Sequence, residues 1–347
     1  MIFDEPLKFG VTSQISNFKS QFRMIILEHV SKYFDNDRKA VDEISFEVKE
    51  GESLVLLGTS GCGKTTTLRM INRLIETSSG NIRVNGKNIR EQSPEKLRQH
   101  IGYTLQDNGL FPHYTVSENI SIVPRLLKWE RNRIKLRVEE LMEKLHLSSK
   151  EYFHAFPRHL SGGQQQRVGL ARALAADPSI LLMDEPFGAL DTVTRSGIRR
   201  EFKELDELKK KTILMVTHDV QEAFELGDRI CLMNKGRIEQ IGTPVQLLLH
   251  PVNDFVSNFL GEHRLQLEFR VIQLTDLWNY LPDTEPDFMK ENQLDPNTSL
   301  AIALERVIET KDFNRNYCIT QNDATKSAGL NELMNAFVEY KKRKHHE

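Results

Sequence analysis

The sequence predicts an α/β protein built on a largely parallel sheet, followed by a small α+β tail. Short uninterrupted apolar runs alternate with stretches of helical period across residues 24–262. That is the pattern of strands buried on both faces between helices. One such run leads directly into a glycine-rich loop and then a helical pattern, a strand–loop–helix order. No segment reaches the ~18 to 20 unbroken apolar residues that cross a bilayer, so the 347 residues read as about two globular domains.

Four runs set the sheet. Leu54-Val55-Leu56-Leu57 precedes the glycine-rich loop, and Ile180-Leu181-Leu182-Met183 precedes an acidic pair. Ile213-Leu214-Met215-Val216 precedes Thr217-His218, and Ile230-Cys231-Leu232-Met233 ends before a turn at Asn234-Lys235-Gly236. In open parallel sheets ligands sit beyond the carboxyl ends of the strands. Chemistry-bearing residues follow three of these four runs, so one site is expected there. Residues of about 107–167 are read as an inserted helical subdomain, with Val138, Leu141, Met142, Leu145 and Leu147 on one face.

Composition narrows the function classes. A formal net charge of -2 supplies no basic face, so nucleic acid is not expected as a partner. Cys62, Cys231 and Cys318 show no disulfide or zinc spacing, which suits a reducing, cytosolic setting. The N-terminus lacks the apolar core and small-residue cleavage site of a secretory signal. Residues 1–23 carry no clear period; they read either as a disordered extension or as sequence ahead of a true start at Met24. The one dense basic run, Lys341 to His346, reads as a solvated tail, with a lipid-headgroup contact as the alternative.

Gly58-Thr59-Ser60-Gly61-Cys62-Gly63-Lys64-Thr65 fits the P-loop pattern. Successive backbone N–H groups can converge on phosphate oxygens only where glycines let the loop wrap. The next helix begins at the phosphate and adds its N-terminal dipole. Lys64 is expected on the β- and γ-phosphates, Thr65 on Mg²⁺, and Thr66 on the nucleotide beside it. The bland reading is a glycine-rich turn. Cys62 is expected to have a lowered thiol pKa near a helix N-terminus and Lys64, so that alkylation blocks turnover and ATP protects.

Asp184 and Glu185 follow a strand end beside this cradle. Asp184 is assigned to the metal and Glu185 to the attacking water as general base; the competing reading is a solvated pair at a strand exit. His218 can bond the γ-phosphate and hold water and base in line, whereas on its own a structural histidine is the better reading.

Leu160-Ser161-Gly162-Gly163-Gln164 singles out a family: it resembles the LSGGQ signature of ABC ATPases. Phe34, beside Tyr33, matches the family's adenine-stacking aromatic. Gln106 looks like the glutamine that links Mg²⁺ to the permease contact. Gly188-Ala189-Leu190-Asp191 looks like the loop that communicates across the dimer, and Thr217-His218-Asp219 like the switch histidine segment. The resemblance covers about residues 24–262. It implies a P-loop NTPase with a RecA-like core, an antiparallel β subdomain and the helical insert.

It also implies ATP and Mg²⁺ as cofactors, with Thr65, Gln106 and Asp184 around the metal and Glu185, His218 and Lys64 catalytic. Two copies are expected to close head to tail, Ser161, Gly162, Gly163 and Gln164 of one covering ATP in the cradle of the other. Asp191 would carry communication between them. A separate integral-membrane permease is expected to contact residues 106–114, with an extracytoplasmic solute-binding protein acting indirectly. The chain would then lie on the cytoplasmic face of the membrane, peripherally.

Ile71–Glu76, Gly109–His113, Asn119–Pro124 and the glutamines 164–166 together look like importer ATPases for glycine betaine, choline, carnitine or related quaternary amines. Importers of amino acids or other small solutes are the alternative. A non-transport ABC ATPase fits less well, since this chain shows one ATPase domain, no long heptad run and no basic face.

In the tail, residues 263–347, Leu300, Ala303, Leu304, Val307 and Ile308 mark one helical face, and Leu330, Leu333, Met334, Phe337 and Val338 another. Tyr317–Thr320 reads as a short strand between them. This order is faintly similar to one reduced CBS module; a ligand-free helical dimerisation appendage is the equal alternative.

Overall fold

The computed structural model describes residues 22–34, 38–106, 109–188, 190, 192–284, 293–310, 317–321 and 324–344. An antiparallel sheet comes first. Its strands are β1 (Arg23–Phe34), β2 (Arg38–Lys49), β4 (Ser79–Val84) and β5 (Lys87–Asn88), in the order β2-β1-β4-β5. The central sheet is built from β3 (Ser53–Gly58), β6 (Ile101–Thr104), β7 (Ile180–Asp184), β8 (Thr212–Thr217), β9 (Arg229–Asn234) and β10 (Arg237–Gly242). Its order is β10-β9-β3-β8-β7-β6, parallel except for β10.

The four apolar runs of the sequence are β3, β7, β8 and β9. Every residue of β7 and β8 is buried, as continuous apolar strands between two covering layers require. One covering layer is the antiparallel sheet with α1 (Lys64–Ile71) and α2 (Pro94–Arg98): Ile25, Val41 and Phe46 pack with Leu54, Leu68 and Leu214 in one cluster. Because β3, β8 and β7 are neighbours, the loops after them open on one edge of the sheet.

The helical subdomain holds α3 (Val116–Leu126), α4 (Arg131–Lys144), α5 (Ser149–Tyr152) and α6 (Gly162–Leu174). Val138, Leu141, Met142, Leu145 and Leu147 are all buried there. The expected span of 107–167 is shifted. Helix begins only at Val116, where Thr115 and Glu118 form a reciprocal capping box, and α6 runs past 167 because Val168, Ala171 and Leu174 continue its buried stripe. Arg137 of α4 bridges to Glu207 at 3.0 Å, and Lys144 to the same carboxylate at 2.7 Å. Glu207 follows α7 (Thr192–Glu204), so these pairs tie the insert to the core.

The body ends with α8 (Val220–Leu226), α9 (Pro244–Leu249), α10 (Asp254–Gly261) and α11 (Arg264–Val271). Leu267 of α11 belongs to the same core as Leu247 and Val256, whereas Ile272 opens a separate cluster. That cluster lies between β11 (Gln293–Leu294), α12 (Leu300–Glu309), β12 (Cys318–Gln321), β13 (Ala324–Ser327) and α13 (Leu330–Lys344). The sheet order β11-β12-β13 pairs a parallel crossover with a hairpin.

Two tail expectations are corrected. Ile308 and Val338 face solvent, at 51% and 45% exposure, while Ala336 and Tyr340 fill the α13 face. The basic run is not wholly solvated either: Lys341 pairs at 2.7 Å with Glu268, a buried carboxylate of α11, and residues 345 and 346 lie outside the described ones. No helix among the described residues is long and apolar enough to cross a membrane.

Candidate functional site

A cleft of about 820 Å³ opens at the carboxyl ends of β3, β7 and β8. Phe34, Ser60, Gly61, Gly63, Lys64, Thr65, Thr66, Gln106, Glu185 and His218 line it, and Ala40 closes one side. The lining is thus drawn from five separate stretches of sequence; Gly58, Thr59, Cys62 and Asp184, also expected at the site, are not among the lining residues.

The loop between β3 and α1 is tightly wrapped. Gly58 has φ 152°, and a Cβ there would lie 2.2 Å from the Met233 carbonyl oxygen. Gly63 has φ 106°, and its Cβ would meet the Ala40 carbonyl oxygen at 2.5 Å. Only glycine fits both conditions. The buried Lys64 ammonium donates to the carbonyls of Gly58 and Thr59 at 2.7 and 2.9 Å. It therefore sits inside the curve of the loop, beside the backbone N–H groups expected to receive phosphate.

Cys62 corrects an expectation. Its side chain is buried under Gly58 and Met233 rather than facing the cleft. Burial raises the thiol pKa, outweighing the nearby Lys64 ammonium. Position in a phosphate loop does not make a thiol reactive when the side chain points into the core.

The acidic pair divides in two. Asp184 ends β7, is buried, and accepts a 2.7 Å hydrogen bond from the Thr65 hydroxyl. Burial raises its pKa, opposed by the Thr65 bond and by Arg69. A hydroxyl and a carboxylate oxygen at this spacing form a hard-donor pair suited to Mg²⁺; Gln106 stands across the cleft. Glu185 turns the other way. Its φ of 45° is left-handed, rare for a residue other than glycine, and its N–H is held by the Val216 carbonyl at 2.9 Å. One carboxylate oxygen, Oε2, receives Gln106 Nε2 at 3.3 Å and lies 3.2 Å from His218 Nδ1.

Behind His218 the backbone is fixed. Thr217 accepts from the Asp219 N–H at 3.0 Å and donates to buried Glu222 at 2.6 Å. Burial raises the pKa of Glu222, with the Thr217 bond opposing. Asp219 caps α8 through the N–H groups of Gln221 and Glu222. Glu222 and the α7 arginines 195 and 199 were not legible as site residues. In the sequence they look like solvated charges at helical spacing.

Ser161, Gly162, Gly163 and Gln164 are absent from the cleft lining. They start α6, where Ser161 accepts from the Gln164 N–H at 3.3 Å and Gln164 accepts from the Ser161 N–H at 2.9 Å. Ser161 and Gly162 are exposed. Asp191 lies outside the described residues. A separate groove of about 340 Å³ is lined by Leu74, Arg98, Tyr103, Phe111, Val123 and Leu105, the chain neighbour of Gln106; Leu74, Leu105 and Phe111 are exposed.

A family profile described as "ABC transporter" matches residues 41–188. An osmoprotectant import ATP-binding protein of Salmonella typhimurium is 48% identical over 263 residues, 75% of this chain and 69% of its own. A glycine betaine/carnitine/choline transport ATP-binding protein of Bacillus subtilis is 52% identical over 70% of this chain; the match spans 63% of that relative, short of two thirds. A glycine betaine uptake system ATP-binding protein of Escherichia coli is 49% identical, with 74% of this chain and 82% of the relative covered. A solved ATP-binding cassette dimer, in a post-hydrolysis state with ADP and Pi, is 32% identical with a TM-score of 0.57, covering 63% of this chain and 98% of that one.

Proposed function

The chain belongs to the ATP-binding subunits of ABC transporters, and on that premise we propose that it hydrolyses ATP in a head-to-tail dimer to drive osmoprotectant uptake through a separate permease. The observation that carries the catalytic part is the grouping of Gln106, Glu185 and His218 around one oxygen beside the Lys64 loop.

In this reading Phe34 stacks on the adenine, and the loop N–H groups with Lys64 hold the phosphates. Thr65, Asp184 and Gln106 hold Mg²⁺, which when bound neutralises phosphate charge. Glu185 takes a proton from the attacking water, and His218 holds the γ-phosphate and Glu185 in line. The cleft covers ATP from one side only. Ser161 and the α6 N-terminus of a second copy supply the other wall, with N–H groups and dipole facing the γ-phosphate. The similar solved cassette, a dimer holding ADP and Pi, supports this arrangement.

The groove that includes Leu105 supports the permease contact, since apolar Leu74, Leu105 and Phe111 are exposed and Leu105 is the chain neighbour of a cleft residue. The chain would then sit peripherally at the cytoplasmic face of the membrane. For the solute, support comes from relatives named for glycine betaine, carnitine and choline. We place the boundary of the ATPase domain near Val271, where the core changes, and read the tail as a regulatory or dimerisation module.

Reconstitution with a quaternary-amine permease and its solute-binding protein tests the reading. ATPase activity should rise with betaine, choline or carnitine and not with an amino-acid panel. Stimulation by amino acids alone would move the chain to the other importer class.

A further inference from the structure

Two arginines of α7 stand between Leu190 and the switch segment. Arg195 donates from one guanidinium nitrogen to the Leu190 carbonyl at 2.9 Å. Another of its nitrogens lies 3.5 Å from Oδ2 of Asp219. Leu190 sits in the stretch expected to face the partner chain, and Asp219 directly follows His218. Arg199, one helical turn on and only 5% exposed, lies 3.7 Å from the same Oδ2 and 3.3 Å from Glu225. The other Asp219 oxygen is committed to the α8 cap, at 2.8 and 3.2 Å from the N–H groups of Gln221 and Glu222.

We infer that Arg195 is a positioning residue for ATP hydrolysis: it ties Leu190, in the stretch expected to face the partner chain, to the segment that carries His218, so that the histidine is in line only when Leu190 is seated. The inference rests on the role proposed above for His218. A guanidinium is planar and presents its donors in fixed directions. A shift of the Leu190 carbonyl therefore either carries Asp219 with it or breaks one of the two contacts. Asp219 is the chain neighbour of His218 and is held by its cap bonds to α8 and by Thr217 at its N–H, so any displacement of it is shared by the histidine's backbone. Lysine has one ammonium on a flexible stem and cannot hold both ends.

A double-mutant cycle in the full-length protein separates this from a merely structural bridge. Turnover, KM for ATP and melting temperature would be measured for the parent, Arg195→Gln, His218→Ala and the pair. His218→Ala is expected to lower kcat by about 10²-fold. Arg195→Gln should lower kcat by about 3- to 30-fold with KM unchanged within about twofold. In the His218→Ala background, Arg195→Gln should cost nothing further. Asp219→Asn keeps the capping oxygen, removes the charge facing Arg195, and should reproduce the pattern if Arg195→Gln proves unstable.

The same fold loss in both backgrounds, or a rise in KM at constant kcat, overturns the inference while leaving the role of His218 standing. Unchanged turnover in His218→Ala overturns that role, and the inference with it.

Discussion

Oε2 of Glu185 lies 3.2 Å from Nδ1 of His218, across the carboxyl ends of two adjacent strands. The pair is assembled by backbone: Glu185 is pinned to Val216, two residues before His218. Replacing Glu185 with Gln keeps the shape and removes the charge that accepts a proton. Turnover should fall by about 10²-fold or more, with ATP affinity retained. The variant should then collect as an ATP-bound dimer by size exclusion. Steady-state hydrolysis near the parent rate would falsify the assignment of Glu185 as base.

Gly63→Ala places a Cβ 2.5 Å from the Ala40 carbonyl oxygen at a φ of 106°. The strain should amount to about 1–3 kcal/mol, and the loop can relieve it only by opening. ATP binding, followed by fluorescence of a labelled nucleotide, should be lost before the fold is. Gly86→Ala, in the turn between β4 and β5 and outside the cleft lining, is the control: its φ of 74° is also positive, but a Cβ there meets nothing within 4 Å.

Cys62 should resist alkylation in the folded protein with or without ATP. Burial both raises its pKa and covers the sulfur. Mass spectrometry after iodoacetamide should show Cys62 modified only once the protein is unfolded. Rapid labelling of native protein, blocked by ATP, would restore the reactive-thiol reading.

Glu207 provides a pH test. Desolvation pushes its pKa up, yet hydrogen bonds from Arg137 and Lys144 outweigh this and take it from 4.5 to about 2. A depressed carboxyl pKa contributes stability above the unfolded value, and that contribution disappears as pH falls through the folded value. Glu207→Gln should therefore cost about 1–3 kcal/mol near neutrality, with the side chain only 13% exposed. The difference from the parent in thermal melts should shrink between pH 4.5 and 2. A difference independent of pH would exclude the ion pairs as its source.

The tail can be cut at two places with different outcomes. Ending the chain at Val271 keeps Leu267 in the ATPase core and should leave a folded domain with basal ATPase activity. Ending it at Leu265 removes that buried leucine and should cost about 2–5 kcal/mol more, read as a lower melting temperature. Lys341→Met leaves buried Glu268 with Arg264 as its one remaining ion-pair partner among the described residues, and should loosen the tail without affecting the cleft.

The sheet and the phosphate loop were legible because continuous apolar runs and a fixed glycine spacing are local signals. The convergence of Lys64, Glu185 and His218 was also legible, since strand ends in a parallel sheet must meet. The direction of Cys62 was not: loop position does not reveal which side of the loop a side chain faces. Helix limits at 116 and 174 depended on a cap and on packing partners distant in sequence. Arg195 and Glu222 were invisible because their roles come from tertiary neighbours, Leu190 and Thr217, that no period announces.

The capping box at Ser161 and Gln164 satisfies two donors at the start of α6, and neither residue lines the chain's own cradle. In the proposed dimer, damage at Ser161 therefore harms not the chain that carries it but its neighbour. Two defective copies, one lacking Lys64 and the other Ser161, would leave one intact composite site when paired and complement each other between alleles. A single allele that keeps pairing but lacks Glu185 would act in the opposite sense, as a dominant negative that silences normal subunits in proportion to its abundance.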